Sequence, residues 1–90
     1  MKIKIFSIKD KVVGAYRSPF YMRNNAEAIR AFNNSCKEVP DMAKVASDLE
    51  LYCLGEFDDE TGFINNEIEF LQSGFNGEYI TKTINEEKED

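Results

Sequence analysis

Ninety residues fit one domain and leave no room for two. With 42% hydrophobic and 31% charged residues, the composition is that of a folded chain rather than a disordered one. The net charge of −6 opposes indiscriminate polyanion binding, and the absence of histidine removes the commonest general base and metal ligand.

The first element predicted is a strand over residues 2–8, where Ile3, Ile5 and Ser7 share one face and Lys2, Lys4, Phe6 and Ile8 the other. Asp10-Lys11 reads as a turn, and residues 12–16 as a short returning strand. Pro19 lacks an amide donor and restricts Ser18, so pairing should break there. Residues 20–23 resume an extended stretch. A helix follows, with Asn24 as N-cap and Glu27 three residues on in the manner of a capping box. Ile29, Phe32 and Cys36 recur at helical spacing and should pack on the sheet. Arg30, Asn33 and Lys37 should face outward. Pro40 stops this helix and opens a second, short one over residues 40–47, with Met42, Val45 and Ala46 turned inward.

Residues 49–57 form the clearest strand, with Leu49, Leu51, Cys53 and Phe57 on one face. Gly55 among them marks a bulge or a close backbone approach. Residues 58–62 read as a hairpin loop in which Gly62 supplies positive φ. The return strand runs over residues 63–71, interrupted at Asn65-Asn66. A last short strand is predicted at residues 79–81 and an acidic, disordered tail at 85–90. The fold expected is therefore α+β: a small antiparallel sheet of three to five strands with one main helix on one face, a single globular domain over residues 1–84.

Catalysis finds no footing in this sequence. Without histidine there is no Ser-His or Cys-His pair, and the five glycines are too scattered for a phosphate loop. Asp58-Asp59-Glu60 lacks the alternating ligands of a calcium loop and reads as a solvated turn. Glu67 and Glu69 share one strand face and read as solvent-facing. Cys36 and Cys53 read as buried free thiols in a reducing compartment. No enzyme activity, metal or cofactor is expected.

Charge is unevenly spread along the chain. Residues 1–44 carry nine basic and four acidic side chains, a net of +5, and residues 45–90 carry two and thirteen, a net of −11. In the basic half Lys2, Lys4, Arg17, Arg23 and Arg30 are interleaved with Phe6, Tyr16, Phe20 and Tyr21. Cations that hold phosphates beside rings that stack on bases are the ingredients of single-strand binding. Phe6 and Phe20 read as core, and Tyr16 and Tyr21 as half-exposed. The candidate nucleic-acid-binding set is thus Lys2, Lys4, Tyr16, Arg17, Tyr21, Arg23 and Arg30, with Arg17, Arg23 and Arg30 expected within reach of one another and a tyrosine beside them. The acids Glu86, Glu87, Glu89 and Asp90 would compete for the same cations.

The segments Lys4-Ile5-Phe6-Ser7-Ile8-Lys9-Asp10, Ser18-Pro19-Phe20, Ala28-Ile29-Arg30-Ala31-Phe32, Leu51-Tyr52-Cys53-Leu54-Gly55-Glu56-Phe57-Asp58 and Thr61-Gly62 follow in that order. This pattern, over residues 2–64, resembles the small nonstructural protein of gokushoviruses, the single-stranded-DNA phages of the Microviridae. The resemblance implies a DNA-binding or DNA-packaging accessory, acting late in single-stranded genome synthesis or packaging, in the cytoplasm of the bacterial host. It carries no catalytic motif. Two functions are expected to compete: single-stranded DNA binding through the basic half, and an interaction module for phage replication or capsid proteins that leaves DNA untouched. No stretch approaches the length of a membrane span, and no membrane partner is expected. A homodimer is expected through a free strand edge.

Overall fold

The computed structural model describes residues 1–75. Strand β1, Lys2–Asp10, alternates as predicted. Its Phe6 and Ile8 face the helix, while Ile3, Ile5 and Ser7 face the other way. Asp10 Oδ1 then accepts from the amides of Val12 and Val13, and Gly14 at φ 77 completes the turn. This turn consumes most of the expected second strand, so that β2 is only Ala15–Tyr16. Strand β3, Phe20–Met22, lies on the same side of β1 as β2 but at its other end.

Helix α1, Asn25–Glu38, begins where its cap requires: the Asn24 side chain accepts from the Glu27 amide at 2.9 Å. The second half of a capping box is not made, because the Glu27 carboxylate turns to Arg23 instead. Ala28, Phe32 and Cys36 are buried on the sheet. Ile29 is only partly buried, since the docking face is rotated by one residue toward Ala28. Lys37 and Arg30 are exposed. Asn33 is held to the sheet by a hydrogen bond from Gln72. Arg30→Ala should therefore leave stability within about 0.5 kcal/mol in urea unfolding, as a surface substitution does.

Pro40 is the first residue of α2, Pro40–Ala43, and a 3-10 turn at Ala46–Asp48 leads into the sheet. Met42 and Ala46 are buried and Val45 packs against the core. Strand β4, Leu49–Asp58, pairs along the whole length of β1, and strand β5, Ile64–Ser73, returns antiparallel beside β4. The expected break at Asn65-Asn66 is absent: Asn65 pairs with Glu56 and Asn66 with Gly55. The loop between these strands closes as read, with Gly62 at φ 77. The order is β2-β1-β4-β5, with β3 also on β1, so five antiparallel strands carry one main helix in an α+β fold.

The register fixes what each face presents. Ile5 pairs with Gly55 but Phe6 pairs with Cys53, so Leu54 is an extra residue in β4. Beyond that bulge the alternation is inverted. Leu49, Leu51 and Cys53 meet the helix, whereas Phe57, expected beside them, lies on the opposite face across from Ile3. One face of the sheet is thus closed by α1 and α2 around Phe6, Phe32, Leu49 and Leu51. The other carries no helix among the described residues. A last strand at residues 79–81 and the acidic tail lie outside the described residues.

Candidate functional site

The open face of the sheet has two ends of different chemistry. At the Lys9 end, rings form a row across three strands. Tyr16 on β2 meets Tyr52 on β4 with centroids 5.5 Å apart, and Tyr52 meets Phe70 on β5 at 5.6 Å, both edge to face. Register produces this row: Tyr16 is opposite Lys9, Tyr52 is opposite Ser7, and Phe70 is opposite Tyr52. Tyr16 and Phe70 are 44% and 49% exposed, so half of each ring is free. The Lys9 ammonium lies 5.7 Å from the Tyr16 centroid, within cation–π range. Tyr52 donates to Glu50 at 3.3 Å, and burial together with the Glu50 charge pushes its phenol pKa up. Beneath the row, buried Ser7 donates to the Arg17 carbonyl at 2.6 Å and ties β1 to the chain leaving β2.

At the Ile3 end, Ile3, Ile5, Tyr21, Phe57 and Ile64 line an open groove without a charged side chain. The groove stops at Ile5 and the row starts over Ser7, two strand residues or about 7 Å along β1.

The seven residues expected to bind nucleic acid fall in three places. Tyr16 belongs to the ring row, and Tyr21 lines the uncharged groove. Lys2 and Lys4 project on the helix side, where Lys2 is opposite Asp58 and Lys4 opposite Glu56. Glu67 and Glu69 complete an acidic surround for Lys4, whose ammonium donates to Asn25 at 3.2 Å. Arg23 and Arg30 lie at and on α1, and Arg23 contacts Glu27 at 2.5 Å. Arg17 follows Tyr16 toward the helix side, close enough for its charge to act on Cys36. The arginines and the rings therefore do not share a surface. Burial pushes the Cys36 thiol up, and both cysteines are buried and free.

Sequence reasoning missed Lys9, Tyr52 and Phe70. The signal available was register: Tyr52 and Phe70 sit on the polar-side positions of two paired strands, and β2 brings Tyr16 beside them.

Hydrogen bonds from Arg23 hold the Glu27 carboxyl below its ordinary pKa, and the Glu60 amide does the same for Asp58. A carboxylate depressed in the folded state contributes stability above its unfolded pKa and loses it as pH falls through the folded value. Thermal melts should therefore show stability declining below about pH 4.5, and Glu27→Gln should flatten part of that acid limb.

These features define a small sheet protein with one helix-covered face and one aromatic face that the described residues leave open. A family model described as Phage ORF5 protein matches residues 3–76, and the chain belongs to this family of phage proteins. No curated protein and no solved structure matches the chain.

Proposed function

We propose that this phage accessory protein binds single-stranded DNA during viral genome synthesis or packaging, in the host cytoplasm, and catalyses no reaction. The observation that carries this reading is the row Tyr16–Tyr52–Phe70 on an uncovered sheet face, with Lys9 at its end. Half-exposed rings on a rigid sheet accept unstacked bases without regard to sequence, and each stacked base is worth about 1–3 kcal/mol. Lys9, over the Tyr16 ring, supplies a cation for an adjoining phosphate. The resemblance to a gokushovirus nonstructural protein agrees with this assignment.

Fluorescence anisotropy with a labelled oligonucleotide at low ionic strength tests it. Tyr16→Ala and Phe70→Ala should each weaken binding about 5- to 150-fold. Lys9→Ala should weaken binding to all sequences alike and reduce the salt slope, because phosphate contacts carry no sequence information. Arg23→Ala should have less effect, since Glu27 already engages its guanidinium. Absence of binding at high micromolar protein would overturn the reading.

The uncharged groove favours a second reading, a module that docks on phage replication or capsid proteins. Salt separates the two: an apolar interface persists as ionic strength rises, whereas phosphate binding weakens steeply.

A further inference from the structure

We propose that the groove lined by Ile3, Ile5, Tyr21, Phe57 and Ile64 is the seat of a second copy of this chain, packed sheet against sheet. The inference rests on different residues from DNA binding, the ring row lying toward the other end of the same face.

Charge selects this surface. Each copy carries a net −6, so two copies repel over most of their surfaces. The groove has no charged lining residue. The nearest acids in β4 and β5 are on the helix side: Glu56, Glu67 and Glu69 line a separate depression with Lys4, and Asp58 is paired opposite Lys2. Apposing two grooves across a two-fold axis thus brings no like charges together at the contact. The free edge of β5 behaves in the opposite way. Two-fold antiparallel pairing centred on that strand would set Glu67 and Glu69 of one copy against the same residues of the other, a destabilising arrangement. The edge is guarded and the face is not.

The area agrees with a reversible dimer. Tyr21 and Ile64 are each 61% exposed, and neighbouring Ile68, on the same face, is 59% exposed. With the partly covered Ile3 and Phe57 they offer roughly 500 Å² per copy, about 1,000 Å² in all, at the floor of a specific interface. Stacked sheets pack about 10 Å apart, which these side chains fill by interdigitation.

The described residues end away from this groove. The described chain leaves β5 at Ser73, where Gly74 lies against Ala46, Cys36 and Phe32. That point is on the helix side, at the Glu50 end of β4. The groove is on the other face and at the other end.

Sedimentation velocity on the full chain, from low micromolar to near-millimolar concentration, tests the proposal. The expected result is a concentration-dependent doubling of the 10.3 kDa mass. Tyr21→Glu and Ile64→Glu should each weaken association at least about tenfold, as loss of a central apolar contact does, with far-ultraviolet circular dichroism unchanged because both side chains are exposed. Tyr21 lies on β3, across the sheet from β5, so its effect separates face packing from pairing through the β5 edge. Tyr16→Ala should leave the dimer intact while weakening DNA binding. A monomer at every concentration overturns the proposal and gives the groove to another occupant. A dimer that survives Tyr21→Glu overturns it in favour of the edge.

Discussion

Phe32→Ala is expected to cost about 3–5 kcal/mol in urea unfolding, the range for truncating a fully buried aromatic. Phe32 is 1% exposed and lies on the docking face of α1 between Ala28 and Cys36. It belongs to the cluster that includes Phe6, Leu49 and Leu51, so its ring joins the helix to both central strands. Collapse around the cavity is limited, because β1 and β4 are paired along their full length. A small domain has about 5–15 kcal/mol to lose in all, so this one truncation removes a large share. The midpoint should fall with the slope against denaturant unchanged. A cost below about 1 kcal/mol would mean that α1 docks by another face.

That docking face was largely readable in advance. The Asn24 cap, the alanines and the spacing of Phe32 and Cys36 are local signals, and local signals place helices well. Spacing alone gives Ile29 too central a place, because it does not say how far a helix is rotated on its sheet. Ala28, small enough to let the backbone approach, took the buried position instead.

The sheet was less legible, and the reason is register. Alternation in residues 2–8 sorted the side chains of β1 into two faces but did not say which face the helix would cover. The face bearing two lysines won, because Phe6 and Ile8 supply the core at one end while Lys2 and Lys4 lie among acids at the other, Lys4 also reaching Asn25 at the start of α1. Counting in twos puts Phe57 with Leu49, Leu51 and Cys53, and the extra residue at Leu54 defeats that count. Asn65-Asn66 looked like a break from composition, yet pairing with Glu56 and Gly55 holds the strand through it. Tertiary pairing overrides a weak local preference here.

The candidate site suffered most from the same blindness. Interleaved cations and rings along a sequence do not lie side by side on a sheet, because successive residues point to opposite faces. Tyr16 and Arg17 are neighbours in the chain and on opposite sides in the fold. The ring row draws on three strands separated by more than fifty residues, so no local pattern could reveal it.

Gly55 reads from sequence as marking a bulge or a close backbone approach; it flanks the bulge at Leu54 and is itself the close approach. Its φ of +150° lies where a side chain is strained, and a Cβ built there would sit 2.0 Å from the carbonyl oxygen of Asn65. The obstacle is backbone, so no rotamer change can relieve it. Room for a methyl requires β5 to move away from β4 or the bulge at Leu54 to be lost. Moving β5 breaks the pairing of Gly55 with Asn66 and of Glu56 with Asn65. Losing the bulge would invert every face from Gly55 to Asp58 and set the Glu56 charge opposite Ile3, where Phe57 now lies. Backbone strain of about 1–3 kcal/mol and overpacking of about 1–3 kcal/mol then act together. Gly55→Ala should therefore destabilise the fold by at least about 3 kcal/mol in urea unfolding, with hydrogen exchange fastest in β5. Gly62→Ala, also at positive φ but with no atom within 4 Å of the added methyl, should cost less. If the two substitutions proved equal, backbone conformation alone would be the cause, and the close approach of β5 to Gly55 would carry no energy.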